Sequence, residues 1–268
     1  MDDTLAIIGA GSIGGAIAKG LMKSGYKGRI IATRRSIEKL KELETLGVEV
    51  TNDNRKAARE ADIVFLCVKP NDVKRVLEEI KEEIAGKLVI STAATIPLDY
   101  YKKLVPRARF IRSMPNIAIL VQESFTAYTC DNEVTQHDRE KVKKIFSLLG
   151  ICQEVEEKYM DAITALSGSG PGYISIIIEA LMYAGLKVGL PRDLSLRSAA
   201  QTVLGTGKLA LQLDGHVAEI KDMVTTPGGT TIEAIYELEG SQIRQALMRA
   251  VEKATEKSRI LWDYLSLG

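Results

Sequence analysis

Leu5-Ala6-Ile7-Ile8-Gly9-Ala10-Gly11-Ser12-Ile13-Gly14 is the stretch whose reading decides the fold of this chain. Its four apolar residues make a buried strand, and the GxGxxG that follows opens a helix from about Ile13 to Lys23. Each glycine has its own task. Gly9 permits the tight turn, Gly11 lets a pyrophosphate approach the backbone, and Gly14 lets the helix pack against the strand. The helix N-terminus then offers unpaired N–H groups and a favourable dipole to phosphate oxygens. The alternative is a glycine-rich turn in an ordinary α/β fold, against which stands its place between a first strand and a first helix. Gly9, Ala10, Gly11, Ser12, Ile13 and Gly14 are therefore the expected dinucleotide loop.

Working outward, strands and helices alternate. Arg29–Thr33 reads as a second strand, Ser36 as the cap of a charged helix ending near Gly47, and Val48–Val50 as a third strand. Asp62–Val68 is a fourth strand, apolar on both faces as a buried parallel strand should be. Pro70 follows, then a helix through Ile84 and the strand Leu88–Ser91. After Glu156 the periodicity is helical, with breaks at Gly168–Gly172, Gly189–Pro191, Asp214-Gly215 and Thr225–Gly229. The clearest late helices run from about Pro191 to Leu213 and from Ser241 to about Leu265. The expected fold is α/β: an N-terminal Rossmann-type doubly wound parallel sheet over residues 1–157, followed by an all-helical domain over 158–268.

Composition excludes several classes. The 268 residues carry 36 Lys plus Arg against 35 Asp plus Glu, a net +1 that gives no basic excess for a nucleic-acid groove. With 46% apolar residues the chain is not of disordered composition. Cys67, Cys130 and Cys152 form no CxxC pair. The acidic start Met1-Asp2-Asp3-Thr4 does not resemble a signal peptide, and Tyr173–Leu190, broken by Glu179 and Lys187, falls short of a bilayer span of about 20 apolar residues. A cytoplasmic protein with neither membrane nor nucleic-acid partner is expected.

The end of the second strand bears on which dinucleotide binds. An acid there would hold the ribose 2′-hydroxyl of NAD; the chain instead reads Thr33-Arg34-Arg35-Ser36. Guanidinium groups pair with a 2′-phosphate, so NADP(H) is preferred over NAD(H), two solvated surface arginines being the alternative. Lys69 is either a cofactor contact or a solvated strand-end charge. Thr225-Thr226-Pro227-Gly228-Gly229-Thr230-Thr231 precedes a helix expected near Ile232, an arrangement of N–H and hydroxyl donors suited to a small carboxylate, or else a plain helix connection. Ser167–Gly172 is either a tight turn or a place where backbone meets ligand. His137 reads as solvated and His216 as a capping residue, and no HExxH, GxSxG or metal-ligand pattern occurs. The chemistry is therefore expected of a cofactor, with the protein supplying position and electrostatics.

These blocks, in this order, resemble the pyrroline-5-carboxylate reductases. The resemblance runs from GAGSIG through Val68-Lys69-Pro70, Met114-Pro115-Asn116, Ala165–Pro171, Gly189-Leu190-Pro191-Arg192 and Lys221-Asp222 to Thr226–Thr231, nearly the full length. It implies NAD(P)H-dependent reduction of the cyclic imine 1-pyrroline-5-carboxylate to L-proline, the last step of proline synthesis. It further implies that Thr33, Arg34 and Arg35 meet the adenosine 2′ group and that Asn54 lies beside the ribose. Cys67, Val68, Lys69, Pro70, Thr92, Ala93 and Ala94 would line the nicotinamide side. Thr226 and the amides of Gly228, Gly229 and Thr230 would take the substrate carboxylate, with Glu157 in the substrate pocket and the hydroxyl of Thr231 near the imine nitrogen. The helical domain would form a homodimer, and such dimers often assemble further, frequently as decamers. Ser12-Ile13 departs from the common Asn-Met of the family, Ile117-Ala118 from Thr-Pro, Gly172 from Ala, Val217 from Pro, and Met223 from a polar residue in some relatives; no group assigned to chemistry is lost.

Two other classes share parts of this pattern. A β-hydroxyacid dehydrogenase-like or coenzyme F420-linked reductase also joins a Rossmann domain to helices; the former needs a catalytic lysine, for which Lys208 after Gly205-Thr206-Gly207 is the nearest candidate. A non-catalytic NADP(H)-sensing protein would keep the first glycine loop alone. The intact TPGGTT loop argues against both.

Overall fold

The computed structural model describes residues 2–266. The chain packs as two compact units, Met1–Ser169 with Glu252–Gly268, and Gly170–Val251. The first is built on an eight-stranded sheet in the order β3-β2-β1-β4-β5-β6-β7-β8. These strands are β1 Leu5–Ile8, β2 Ile30–Thr33, β3 Glu49–Thr51, β4 Ile63–Leu66, β5 Leu88–Ser91, β6 Arg109–Met114, β7 Ser124–Cys130 and β8 Gly150–Glu154. Successive side chains of β1 serve opposite faces: Leu5 and Ile7 join a core with Ile17, Leu21, Phe65 and Phe146, while Ala6 and Ile8 join one with Val64, Leu66, Leu77 and Tyr101. Both faces are covered, so the central strands are apolar throughout.

From β3 to β6 the sheet is parallel, with Ile8 of β1 in register with Thr33 on one side and Leu66 on the other. The wholly parallel sheet expected from the sequence gives way at β7, which pairs with β6 antiparallel and with β8 in parallel. The reason lies in the connection. Residues 115–123 between β6 and β7 hold only the 3-10 helix Ile117–Val121, too short for a parallel crossover of a dozen or more residues.

Two further expectations are corrected. Ser36 stands in an extended conformation at the start of a 3-10 helix, Ile37–Leu40, but its side chain makes no cap bond; the α-helix proper is only Lys41–Thr45. The glycine-rich Gly168–Gly172 is not a break: a π-helical turn, Thr164–Gly168, leads into the α-helix Gly170–Lys187, with Pro171 in its first turn where its missing N–H costs nothing.

The second unit is helical, with Gly170–Lys187, Arg192–Gln212, Ala218–Met223 and Thr230–Glu239 before the last helix, Ile243–Ser266. The first two pack closely, and a Cβ added at Gly185 would stand 2.5 Å from Ser195 Oγ. The last helix returns to the sheet unit, where Trp262 meets Tyr100 edge-on at 5.2 Å and Ser258 Oγ donates to Asp161 Oδ1 at 2.9 Å. Among the described residues no helix is long and apolar enough to cross a membrane.

Candidate active site

Strands β1 and β4 are neighbours whose chain connections leave in opposite directions, which opens a crevice at their carboxyl ends. The GxGxxG loop lies there, and the structure explains its spacing. Gly9 has φ +88°, and a Cβ on it would stand 2.6 Å from Val68 Cγ1 and 3.0 Å from the Cys67 carbonyl oxygen. A Cβ on Gly14 would meet the Gly9 carbonyl oxygen at 2.7 Å and Cys67 Cβ at 2.9 Å. Both positions thus require glycine, one for backbone conformation and both for close approach. Gly11 is the N-cap of the helix Ser12–Lys23 and makes no side-chain cap, leaving that N-terminus to a ligand.

The loop is held from behind. Thr33, 1% exposed, accepts from the Gly9 N–H at 3.3 Å and donates to Asn54 Oδ1 at 2.6 Å, while its carbonyl takes the Ala10 N–H at 2.8 Å. Asn54 passes the chain on to Glu79 Oε2 at 3.2 Å. Thr33 therefore fixes the loop from inside rather than facing the crevice.

In front of the loop lies a cavity of about 510 Å³ lined by Gly9, Gly11, Asn54, Cys67, Val68 and a ring of charge. Arg34, Arg35, Lys39, Lys69 and Arg75 supply the cations, and Asp72 an acid. The sequence pointed to the first two arginines and to Lys69. Lys39, Asp72 and Arg75 come from the segments that follow β2 and β4, and the signal that could have found them is that both segments begin at the carboxyl edge.

Beside it, the loop after β5 continues the edge. Thr92 N–H donates to Leu66 O at 3.0 Å, and Ala93 N–H to Ser91 Oγ at 3.2 Å. Burial pushes the Cys67 thiol up to about 12, against a hydrogen bond with Thr92, so it stays a neutral lining group and not a nucleophile. Thr95, next in the loop, has φ +72°, is 5% exposed, and its hydroxyl has no hydrogen-bond partner among the described residues.

The Met114-Pro115-Asn116 and Ser167-Gly168 blocks meet: Asn116 Nδ2 donates to the Ser167 carbonyl at 3.1 Å, and a Cβ on Gly168 would contact Met114 Sδ at 3.3 Å. Glu157 Oε1 accepts from the Leu98 N–H at 2.8 Å and from Arg112 Nη1 at 3.2 Å. Arg112, 3% exposed on β6, also reaches Asp161 at 3.4 Å. Glu157 thus caps the helix Leu98–Leu104 and helps neutralise a buried arginine.

Thr226–Thr231 belong to the helical unit. Gly229 N–H turns back to Thr226 O at 3.0 Å, Gly228 takes φ +66°, and a Cβ on Gly229 would lie 2.4 Å from Thr226 Oγ1. The turn delivers Thr230 and Thr231 to the first positions of the helix Thr230–Glu239, whose N-terminal dipole favours an anion. Lys208 is an interior residue of Arg192–Gln212. His216 has the expected capping role, its Nδ1 accepting from the Ala218 N–H at 3.1 Å.

A glycine loop at a strand-order switch with a cationic cavity before it is the arrangement of a dinucleotide-binding protein, and the helical unit carries a turn whose helix N-terminus favours an anion. Comparison with known proteins makes this specific. Residues 157–261 match the family model "Pyrroline-5-carboxylate reductase dimerisation", and residues 4–95 match "NADP oxidoreductase coenzyme F420-dependent". A pyrroline-5-carboxylate reductase of Methanosarcina acetivorans is 42% identical over 96% of this chain and 97% of its own, and that of Glycine max 41% over 96% of each. The crystal structure of Plasmodium falciparum pyrroline carboxylate reductase with NADP bound superposes with TM-score 0.87 and 31% identity over 97% of this chain and 100% of that one. The structure of a pyrroline-5-carboxylate reductase from Coxiella burnetii gives 0.89 and 34% over 97% and 99%. The chain belongs to the pyrroline-5-carboxylate reductase family.

Proposed function

We propose that this protein reduces 1-pyrroline-5-carboxylate to L-proline with NADPH as preferred cofactor and NADH as a second one, in the cytoplasm and as a homodimer. The observation that carries the cofactor reading is the cation-lined cavity in front of a loop where Gly9 and Gly14 admit no Cβ. When bound, the nicotinamide supplies the hydride. The residues present fit such a group: Gly9 to Gly14 offer the pyrophosphate a helix N-terminus, and Arg34 and Arg35 offer the 2′-phosphate guanidinium donors. Asn54 serves the ribose, and Cys67 to Pro70 with Thr92 to Ala94 line the nicotinamide side. Family membership supports the substrate, and three unpaired cysteines support a reducing compartment.

In the helical unit, Thr226 and the Gly228–Thr230 turn hold the substrate carboxylate against the helix N-terminus, and Thr231 orients the imine nitrogen. A hydroxyl is too weak an acid to protonate the nitrogen alone, so Thr231 relays a proton from water as the amine forms. Glu157 belongs to the substrate pocket through Arg112 and the Leu98 amide, which it fixes. The functional division lies at 157/158, a reading supported by the dimerisation match over residues 157–261. Exposed Ile176, Val188, Leu211 and Tyr236, each at least 66% accessible in one chain, support a partner chain over the helical unit; dimers of this family often assemble further, frequently as decamers.

Thr231→Ala tests the chemical role. It is expected to lower kcat by roughly 10–100-fold with little change in NADPH affinity. Equal loss in both, or none, refutes the assignment.

A further inference from the structure

Asp72 brings a carboxylate into the cofactor cavity from an element that carries no such signal in its sequence. It ends the 3-10 turn Pro70–Asp72 after β4 and reaches two guanidinium groups on different walls. Its Oδ2 accepts from Arg35 Nη2 at 3.2 Å, and its Oδ1 from Arg75 Nη2 at 2.8 Å. Arg35 comes from the end of β2, Arg75 from the helix Val73–Ile80. Arg34, Lys39 and Lys69 line the same space. One anion therefore bridges two arginines within a ring of five cations.

That is the electrostatic arrangement a phosphate monoester of charge about −1.5 to −2 would itself create. The hydrogen bond from Arg75, opposed by burial and helped by nearby Arg35 and Lys69, holds the Asp72 carboxyl below its usual range, so it is ionised at neutral pH. A cofactor carrying a 2′-phosphate must take the guanidinium groups from this carboxylate and then sit beside it. A cofactor with a bare 2′-hydroxyl leaves the bridge intact. The carboxylate could also help by ordering the arginines, but the Arg35 side chain is 83% exposed, and exposed pairs order little. Repulsion is the larger effect.

We propose that Asp72 is a specificity-determining residue: the internal counter-anion of the 2′-phosphate subsite, which keeps the preference for NADPH over NADH below what the cations alone would give. Arg75 is then a third guanidinium of that subsite. The inference rests on the reading of Arg34 and Arg35 as the 2′-phosphate contacts.

The test measures dissociation constants of NADPH and NADH for the full-length protein by nicotinamide fluorescence, and those of 2′,5′-ADP and 5′-AMP by competition. Asp72→Asn, nearly isosteric and at the surface, is expected to tighten NADPH and 2′,5′-ADP roughly three- to tenfold while NADH and 5′-AMP change by less than about twofold, the gain fading as salt is raised. Arg75→Gln is expected to weaken NADPH by a similar factor and spare NADH. Asp72→Asn leaving the NADPH/NADH ratio unchanged, or weakening NADPH, overturns the inference. Arg34→Ala with Arg35→Ala separates two failures. If that pair abolishes the preference while Asp72→Asn leaves it unaltered, the 2′-phosphate reading stands and only the role of Asp72 falls. If the pair leaves the preference unaltered, the 2′-phosphate reading falls and takes the role of Asp72 with it.

Discussion

Replacing Thr95 by glycine should stabilise the protein. Thr95 is β-branched, stands at φ +72°, and buries a hydroxyl that has no partner among the described residues. The left-handed conformation costs a residue with a Cβ about 1–2 kcal/mol, and an unpaired buried hydroxyl about 1–3 kcal/mol. Glycine removes both. Against this stand the extra freedom of glycine in the unfolded chain, about 0.5–1 kcal/mol, and the lost burial of two carbons, Cβ and the γ-methyl, about 1.6 kcal/mol with some cavity cost. The balance favours Thr95→Gly by about 1 kcal/mol, or roughly 2–4 °C in Tm for a chain of this size. Thermal and urea unfolding would measure it. Thr95→Val keeps the shape and the strain but removes the hydroxyl, so it should recover only the hydrogen-bond part. If Thr95→Gly lowers both Tm and the urea midpoint, the loop is not strained and the reasoning fails. Strain held in place by its surroundings gathers at ligand clamps, and this loop is the one assigned to the nicotinamide side.

Gly9→Ala should cost about 2–4 kcal/mol, combining overpacking against Val68 with a disfavoured φ, and NADPH affinity should fall with it; calorimetry and fluorescence titration check the pair. Asp138 completes a capping box with Thr135 and takes two hydrogen bonds from Arg109, at 2.8 and 3.1 Å. Burial alone would raise its carboxyl, but the bonds from Arg109 and Thr135 prevail and hold it below the usual range. A depressed folded value contributes stability that is present above the unfolded value, about 3.9, and is lost as pH falls through the folded one. Asp138→Asn should therefore cost about 1–2 kcal/mol at pH 7, and the gap to the parent protein should close below about pH 4 in a series of melting curves.

The parts legible in the sequence are those where one local pattern suffices. β5 matches the expected Leu88–Ser91 because four apolar or small residues stand between turn signals. The glycine loop was legible because Gly9 and Gly14 each answer a close contact within the β1–helix–β4 unit. The direction of β7 was not, because it depends on the length of a connection rather than on residue type. β6 carries Arg109 and Arg112, and the charge of Arg112 makes sense only once Glu157 and Asp161 arrive from 45 and 49 positions away. β8, Gly-Ile-Cys-Gln-Glu, is an edge strand with much of its length exposed and so lacks an apolar run. At the site, Arg34 and Arg35 were readable from their place after β2. Asp72 lies 37 positions from Arg35 and is one acid among many until the sheet brings the two loops to the same edge.

Transfer of a hydride to the imine carbon of pyrroline-5-carboxylate is read directly by isotopic labelling. The protein would be incubated with 1-pyrroline-5-carboxylate and NADPH carrying two deuterium atoms at C4 of the nicotinamide, and the proline formed analysed by mass spectrometry and NMR. Hydride transfer to the imine carbon gives L-proline carrying one deuterium at C5, formed in step with NADPH consumption. Unlabelled proline, or no proline while NADPH persists, would contradict it.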